Sequence, residues 1–289
     1  MFPLLFVLAV TPASDTSGQV VHARGQNVVP VYEGWERHGD GTFTMVFGYF
    51  NRNLEEEPFV PVGPDNMFEP GDPDRGQPTH FYPRRQQFMF RVPVPKDWVA
   101  RELVWTLVSN GRTEKAYGSL LPVWEIGQQV YEQNRGSTLL RRKEDPVNQG
   151  PSISLLSPAQ ATIALPEALP LTVSVSDDGL PAPRARPTGV GVATVRAREP
   201  AGPISQAVVR LDPTWRLGVV WVHHRGPGNV IFDPMRQEIA DQKGSRAITK
   251  ASFSEPGTYV LRAYADDTVL TSSVDVAVVV NRSGVARER

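Results

Sequence analysis

The chain contains no cysteine, and its 289 residues carry a formal net charge of only −1. The absence of cysteine excludes disulfide bonds, cysteine-ligated zinc, iron–sulfur clusters and thiol nucleophiles. A nearly neutral charge argues against a nucleic-acid-binding protein that depends on a basic surface. The five histidines also leave little material for a histidine-based metal centre.

Standard catalytic motifs and long apolar runs are missing as well. The sequence has no Gly-x-Ser-x-Gly elbow, no His-Glu-x-x-His pair, no phosphate-binding Gly-x-x-x-x-Gly-Lys loop and no dinucleotide-binding Gly-x-Gly-x-x-Gly. No run approaches the about 20 apolar residues that a transmembrane helix needs. We therefore predict a protein that is not an enzyme, has no transmembrane span and binds no nucleic acid.

An apolar run opens the chain. Residues 1–10 read MFPLLFVLAV and are followed by small residues, which is the pattern of a secretory signal peptide and its cleavage site. No lysine or arginine precedes the run, and a buried first strand is the alternative. We predict a signal peptide over residues 1–13, a flexible leader over 14–27, and an exported protein that works in the periplasm or outside the cell.

Short strand-like segments separated by turn signals dominate the rest of the chain. Residues 42–51 alternate between the two faces of a strand, and Asn110-Gly111 is a strong hairpin signal between two further apolar segments. The sequence therefore predicts an all-β protein of two β-sandwich domains. The predicted divisions are a β-rich N-terminal domain (28–136), a charged linker (137–150), a second sandwich (151–281) and a polar tail (282–289).

Two motifs in the second half resemble a known family. Residues 221–232 read WVHHRGPGNVIF, and residues 251–267 read ASFSEPGTYVLRAYADD. Together they resemble the second half of bacterial extracellular immunoglobulin-like modules of the PKD or cadherin-like kind. The resemblance implies an immunoglobulin-like fold with Trp221 in the core, and a role as a spacer, adhesive unit or binding appendage. It departs from the family at Thr268, where such modules commonly have glycine.

A stretch of the first half is also similar to a group of bacterial sequences. Residues 66–90 read NMFEPGDPDRGQPTHFYPRRQQFMF, which resembles a domain of uncharacterised exported bacterial proteins. This similarity implies export and carries no assigned activity.

Acidic residues cluster on one proline- and glycine-rich segment of the first half. Carboxylates at short spacing on a loop are ligands that Ca²⁺ accepts, so calcium is a candidate cofactor. The alternative is a solvated loop whose aspartates cap turns. The candidate ligands are Asp65, Glu69, Asp72 and Asp74.

Basic and aromatic residues lie together between positions 80 and 98. Aromatic rings on a sandwich face can stack on sugars, although such residues are more often core. The candidate ligand-binding residues are Tyr82, Arg84, Arg85 and Trp98.

Taken together, these patterns predict a non-catalytic exported protein that binds an envelope or extracellular protein, or a glycan. One alternative is a carbohydrate-active or other hydrolase with an accessory immunoglobulin-like module, whose carboxylates would be drawn from Glu33, Glu36, Asp40, Asp65 and Glu102. A second alternative is an adhesin made rigid by calcium.

Overall fold

The computed structural model describes residues 22–134, 146–181, 207–211, 215–241 and 243–282. The predicted signal peptide, most of the predicted leader and tail, and much of the predicted linker lie outside the described residues. The extents predicted for these segments and for the two domains stay predictions.

The described chain is nearly all β, as predicted from its alternating segments, and it forms two β-sandwiches. The first sandwich contains β1 (Val28–Arg37), β2 (Phe43–Asn51), β3 (Asn66–Glu69), β4 (Arg84–Val94), β5 (Leu103–Ser109) and β6 (Arg112–Gly118). A 3-10 turn (Pro122–Trp124) and the helix α1 (Gln128–Asn134) follow. The second contains β7 (Ser152–Leu155), β8 (Gln160–Ala164), β9 (Leu169–Ser176), β10 (Gly218–Arg225), β11 (Val230–Asp233), β12 (Arg236–Glu238), β13 (Lys243–Phe253), β14 (Gly257–Asp266) and β15 (Thr271–Asn281).

Aromatic side chains fill the first sandwich. Its sheets have the orders β1-β2-β4 and β3-β5-β6, and alternate residues of their strands point between them. The ring of Phe47 lies 5.2 Å from that of Phe68, and the ring of Phe90 lies 5.0 Å from that of Trp105. The indole Nε1 of Trp105 donates to Asn66 Oδ1 at 2.9 Å. This hydrogen bond satisfies the one polar atom of that buried ring.

The second sandwich has the strand order of an immunoglobulin domain. One sheet runs β11-β13-β9-β7 and the other runs β12-β10-β14-β15-β8, which corresponds to D-E-B-A facing C-F-G with an added strand at each edge. β8 pairs with β15 in parallel, and all other strand pairs are antiparallel. The chain therefore folds as the resemblance in its second half implied.

Two side chains occupy characteristic immunoglobulin positions. Trp221 on β10 is buried and stacks on Phe232 with ring centroids 6.2 Å apart. The hydroxyl of Tyr259, near the start of β14, donates to the carbonyl of Glu255 at 2.7 Å, which is the tyrosine corner of this fold. Gly226 is required beside that ring, because a Cβ there would collide with it and the backbone φ is +129°.

The turn before β15 shows how threonine is accommodated at position 268, where the modules that the sequence resembles commonly have glycine. Thr268 has a φ of 81°, the conformation that glycine adopts more easily. Its amide donates to Asp266 Oδ1 at 2.7 Å, and the amides of Val269 and Leu270 donate to Asp267 Oδ1 at 2.8 and 2.6 Å. The two aspartates thus hold by hydrogen bonds a turn that glycine would otherwise favour.

Candidate functional site: the interface between the two sandwiches

The residues predicted to bind a ligand do not share one exposed surface. Tyr82 lies between the sandwiches, and Arg85 is part-buried in an ion pair with Glu33. Arg84 lies over the ring of Phe50 at 5.1 Å. Trp98 is only 5% exposed. Each has a structural partner or a buried position, and ligand binding through them stays a prediction.

The residues predicted to bind calcium are exposed, and two of their carboxylates have other contacts. Asp72 Oδ1 accepts the amide of Asp74 at 3.0 Å, and Asp74 itself holds Arg225 of the second sandwich. Asp65 contributes its backbone carbonyl to Val108. No group of three or more acidic or histidine side chains in the described parts of the chain is placed to hold a metal ion. Calcium binding by these residues, Glu69 included, stays a prediction.

Two of the carboxylates named for a hydrolase, those of Glu33 and Glu36, serve structural contacts. Glu33 forms a two-pronged ion pair with Arg85 Nη2, at 2.7 and 2.8 Å. A Cβ at Gly48 would collide with this carboxylate and with the carbonyl of Gln86, so the glycine makes room for the pair. Glu36 accepts the hydroxyl of Tyr131 on α1.

The feature that connects the two halves is a shared apolar core. Val220 and Val222 on β10 and Tyr264 on β14 belong to the same buried cluster as the aromatic rings of the first sandwich. Trp221 and Leu261, on the same two strands, belong to the core of the second sandwich. The β12-β10-β14-β15-β8 sheet is therefore covered on both faces along these strands.

Histidines line one end of this interface. The rings of His80, from the first sandwich, and His223, on β10, stack with centroids 4.2 Å apart. Nε2 of His80 donates to Glu57 Oε2 at 2.7 Å. The backbone amide of His223 donates to the hydroxyl of Tyr82 at 2.9 Å. We call the His80 and His223 pair the histidine stack.

Hydrogen bonds across the interface surround the stack. The amide of Thr79 donates to the carbonyl of His224 at 3.1 Å, and the amide of Gly226 donates to Thr79 Oγ1 at 3.1 Å. His224 Nε2 donates to the carbonyl of Gly76 at 2.9 Å. Arg225 holds Asp74 with bonds of 2.9 and 2.6 Å. Two-pronged arginine–carboxylate contacts of this kind fix orientation as well as distance.

A bulge in β4 provides the anchor at the other end of the interface. Phe47 pairs with Phe90 and Tyr49 pairs with Gln86, so residues 87–89 bulge out opposite one residue of β2. The bulge leaves the carbonyl of Met89 outside the ladder. That carbonyl accepts the hydroxyl of Tyr264 at 2.5 Å and Arg262 Nη1 at 3.3 Å. The bulged segment of the first sandwich therefore supplies an acceptor to the second.

Burial shifts the protonation of several interface groups. Loss of hydration lowers the pKa of His223 to about 3, with a further contribution from the neighbouring His80. Burial also lowers the pKa of His224 well below its usual range, and nearby Arg262 adds to this. The hydrogen bonds from Arg225 lower the pKa of Asp74, and for a carboxyl group this favours the charged form. The interface is thus built for neutral histidines and a charged carboxylate.

The sequence held a signal for this interface. Residues 217–222 read LGVVWV, a continuous apolar run without the alternation of a half-exposed strand, and such runs are typical of strands buried on both faces. Adjacent residues of a strand point to opposite faces, and at the end of β10 the ring of His223 contacts Tyr259 of the second sandwich while His224 bonds to Gly76 of the first. The identity of the covering surface required the tertiary fold.

Comparison with known proteins adds similarities of fold only. No family model and no curated protein matches the chain. Fibronectin(III)-like modules of CbhA from Clostridium thermocellum share 10% identity over 90% of this chain and 98% of their own, with a TM-score of 0.24. Domains 4 and 5 of the S-layer protein SbsC share 11% identity over 89% and 98%, also with a TM-score of 0.24. The fold assignment rests instead on the sheet order and on Tyr259. None of the helices in the described ranges is long and apolar enough to cross a membrane.

Proposed function

We propose that this chain is a non-catalytic module of the cell envelope or extracellular space, whose two sandwiches bind a protein or glycan partner as one fixed pair. The observation that carries the proposal is the shared core, in which Val220, Val222 and Tyr264 join the aromatic cluster of the first sandwich. A pair fixed in this way presents surfaces of both sandwiches in a constant relative orientation, which lowers the entropy lost on binding.

The polar contacts across the interface support the same role. The Arg225–Asp74 pair, the Tyr264–Met89 bond and the Thr79–His224 bond lie at separate points of the interface. Hydrogen bonds at several points restrict rotation of one sandwich on the other, which a purely apolar contact would restrict less. The signal-peptide-like start of the chain, which lies outside the described residues, supports placing this module outside the cytoplasm.

The test is crosslinked capture of the tagged mature chain from its native cell envelope, read by mass spectrometry, with a glycan array in parallel. The chain is compared with Arg225→Gln, which breaks the ion pair between the sandwiches, and with Arg37→Gln. Arg37 is the matched control, because its ion pair with Glu125 lies within the first sandwich and is exposed.

We expect the unaltered chain and Arg37→Gln to capture the same dominant partner, and Arg225→Gln to capture it several-fold less. Equal capture by all three proteins would contradict a role for the fixed pair. Failure of the unaltered chain to bind any protein or glycan, or turnover of an arrayed glycan, would overturn the proposed function.

A further inference from the structure

We propose that the histidine stack is an acid-sensitive latch, which holds the two sandwiches together at neutral pH and releases them when His223 becomes protonated. His223 is 1% exposed and lies where β10 meets the first sandwich. Both of its ring nitrogens lack a hydrogen-bond partner among the described residues. A neutral ring tolerates that environment, because its apolar faces contact His80 and Tyr259.

Protonation of the His223 ring makes its buried position unfavourable. A charged imidazole buried without a partner is strongly disfavoured, and here it would lie 4.2 Å from the ring of His80. The acids near the stack are already engaged, because Glu57 accepts His80 Nε2 and Asp74 holds Arg225.

Backbone groups of Arg225 and Gly226 favour the charged ring, but the loss of hydration on burial outweighs them, and the other groups that face the site supply no negative charge. Tyr82 uses its hydroxyl to accept the amide of His223, and the hydroxyl of Tyr259 donates to Glu255. His224 and Arg225 follow His223 on β10, and Arg262 acts on His224 from the neighbouring β14. These groups are neutral or positive, so the charged ring gains hydration only if the interface opens.

The contacts beside the stack explain why the interface would respond first. Three backbone amides donate across it next to the ring, those of Thr79, His223 and Gly226. When His223 moves away from His80, the donors and acceptors of all three hydrogen bonds are separated. The hydrogen bonds within each sheet do not involve these groups, and the tyrosine corner of the second sandwich stays within one domain.

The size of the effect follows from proton linkage. A histidine that is neutral in the closed form and has an ordinary pKa of 6.5 in the open form shifts the ratio of closed to open molecules about tenfold for each pH unit below that value. At about pH 4.5, His223 alone would favour opening by about a hundredfold relative to neutral pH. His224, which is buried in the same interface, adds to the shift in the same direction.

The test is hydrogen–deuterium exchange of the full mature chain at about pH 7.5 and about pH 4.5, expressed as protection factors so that the intrinsic pH dependence of exchange cancels. The chain is compared with His223→Phe, which keeps a stacked ring that cannot be protonated. His38→Phe is the matched control, because His38 is exposed and its ring forms a hydrogen bond with Thr44 of its own sandwich.

We expect acid to reduce protection by at least about a hundredfold at peptides containing Thr79, His223 and Gly226 in the unaltered chain and in His38→Phe. Peptides from the sheet interiors should keep their protection, and the loss at the interface peptides should be about a hundredfold smaller in His223→Phe, in which His224 can still be protonated. The proposal is overturned if His223→Phe opens in acid like the unaltered chain, or if all peptides lose protection together.

A second measurement does not depend on the variants. Histidine-selective nuclear magnetic resonance of the unaltered chain follows the imidazoles during an acid titration. We expect the His223 ring to become protonated over the same pH range in which the interface amides lose protection. A His223 that titrates near its ordinary pKa while those amides stay protected would overturn the latch.

Discussion

Two buried polar groups in this chain are held in opposite ways. In the first sandwich, Glu33 meets Arg85 with two short bonds, and their side chains are 8% and 18% exposed. At the interface, His223 has no hydrogen-bond partner for either ring nitrogen within the described chain. The Glu33–Arg85 pair requires both of its charges, whereas the site of His223 requires a neutral ring. Removing a partner should therefore damage the first, and lowering the pH should damage the second.

The largest effect is expected from breaking the charged pair. Glu33→Gln keeps the shape of the side chain and leaves the Arg85 guanidinium part-buried without its counter-charge. Gly48 lies directly beneath the pair, so the strands have little room to adjust. Urea unfolding at neutral pH should show a loss of about 3–5 kcal/mol in the free energy of unfolding.

The control for this prediction is Glu125→Gln. Its partner Arg37 is exposed, and exposed pairs contribute about 0–1 kcal/mol. A loss in Glu33→Gln no greater than that of Glu125→Gln would show that the buried pair is not more important than an exposed one.

The next effect is the loss of stability in acid. The unfolded chain protonates His223 and His224 below their ordinary pKa of 6.5, while the pKa of folded His223 is about 3. Stability should therefore fall as the pH decreases from 6.5, by up to about 1.4 kcal/mol per pH unit for each histidine. Asp267 opposes this, because burial raises its folded pKa to about 6 from 3.8. As the pH falls from about 6 to 3.8, the folded chain binds a proton at Asp267 before the unfolded chain does, so this group adds stability over that range.

The substitution Asp267→Asn removes the contribution of Asp267 to the pH dependence of stability. The amide oxygen can still accept the amides of Val269 and Leu270, but the side chain no longer titrates. We expect the slope of unfolding free energy against pH, measured by urea unfolding between about pH 6 and about pH 4, to become steeper by about 1.4 kcal/mol per unit. An unchanged or shallower slope would contradict the direction assigned to Asp267.

Two tyrosines allow the interface to be compared with a single sandwich. Tyr264→Phe removes a buried bond to Met89 across the interface, and Tyr259→Phe removes a bond to the exposed Glu255 within the second sandwich. We expect losses of about 1–2 kcal/mol and about 1 kcal/mol in thermal or urea unfolding. The reverse order would show that the interface bond is the weaker of the two.

Much of the fold was predictable, because it depends on local alternation and on turn residues. The alternating segment at 42–51 became β2, the Asn110-Gly111 turn joins β5 to β6, and the predicted immunoglobulin core around Trp221 was confirmed. The short strands β3 and β12 were missed, since β3 lies in the acidic segment rich in proline and glycine and β12 reads Arg-Gln-Glu, without an apolar residue.

The interface between the two sandwiches was harder to predict from the sequence. His80 and His223 are 143 positions apart, and the packing of β10 against the first sandwich places them together. Ligand binding by the aromatic and basic residues around Tyr82 and Arg85 stays a prediction, and the sequence did not show that Tyr82 also contacts the second sandwich, because side-chain type alone does not reveal a contact between domains. Burial of that segment depends on Val220 and Val222, far along the chain.

The smallest expected effect concerns calcium. Asp74 is held by Arg225, and Asp72 accepts the amide of Asp74, so the carboxylates nearest to the interface are already used in its neutral-pH form. Millimolar calcium should therefore leave the melting temperature of the chain unchanged, as measured by scanning calorimetry with magnesium as the control. A calcium-specific rise that is lost in Asp72→Asn would show that Asp72 takes part in a calcium site, and it would favour the adhesin made rigid by calcium over a pair fixed by protein contacts alone.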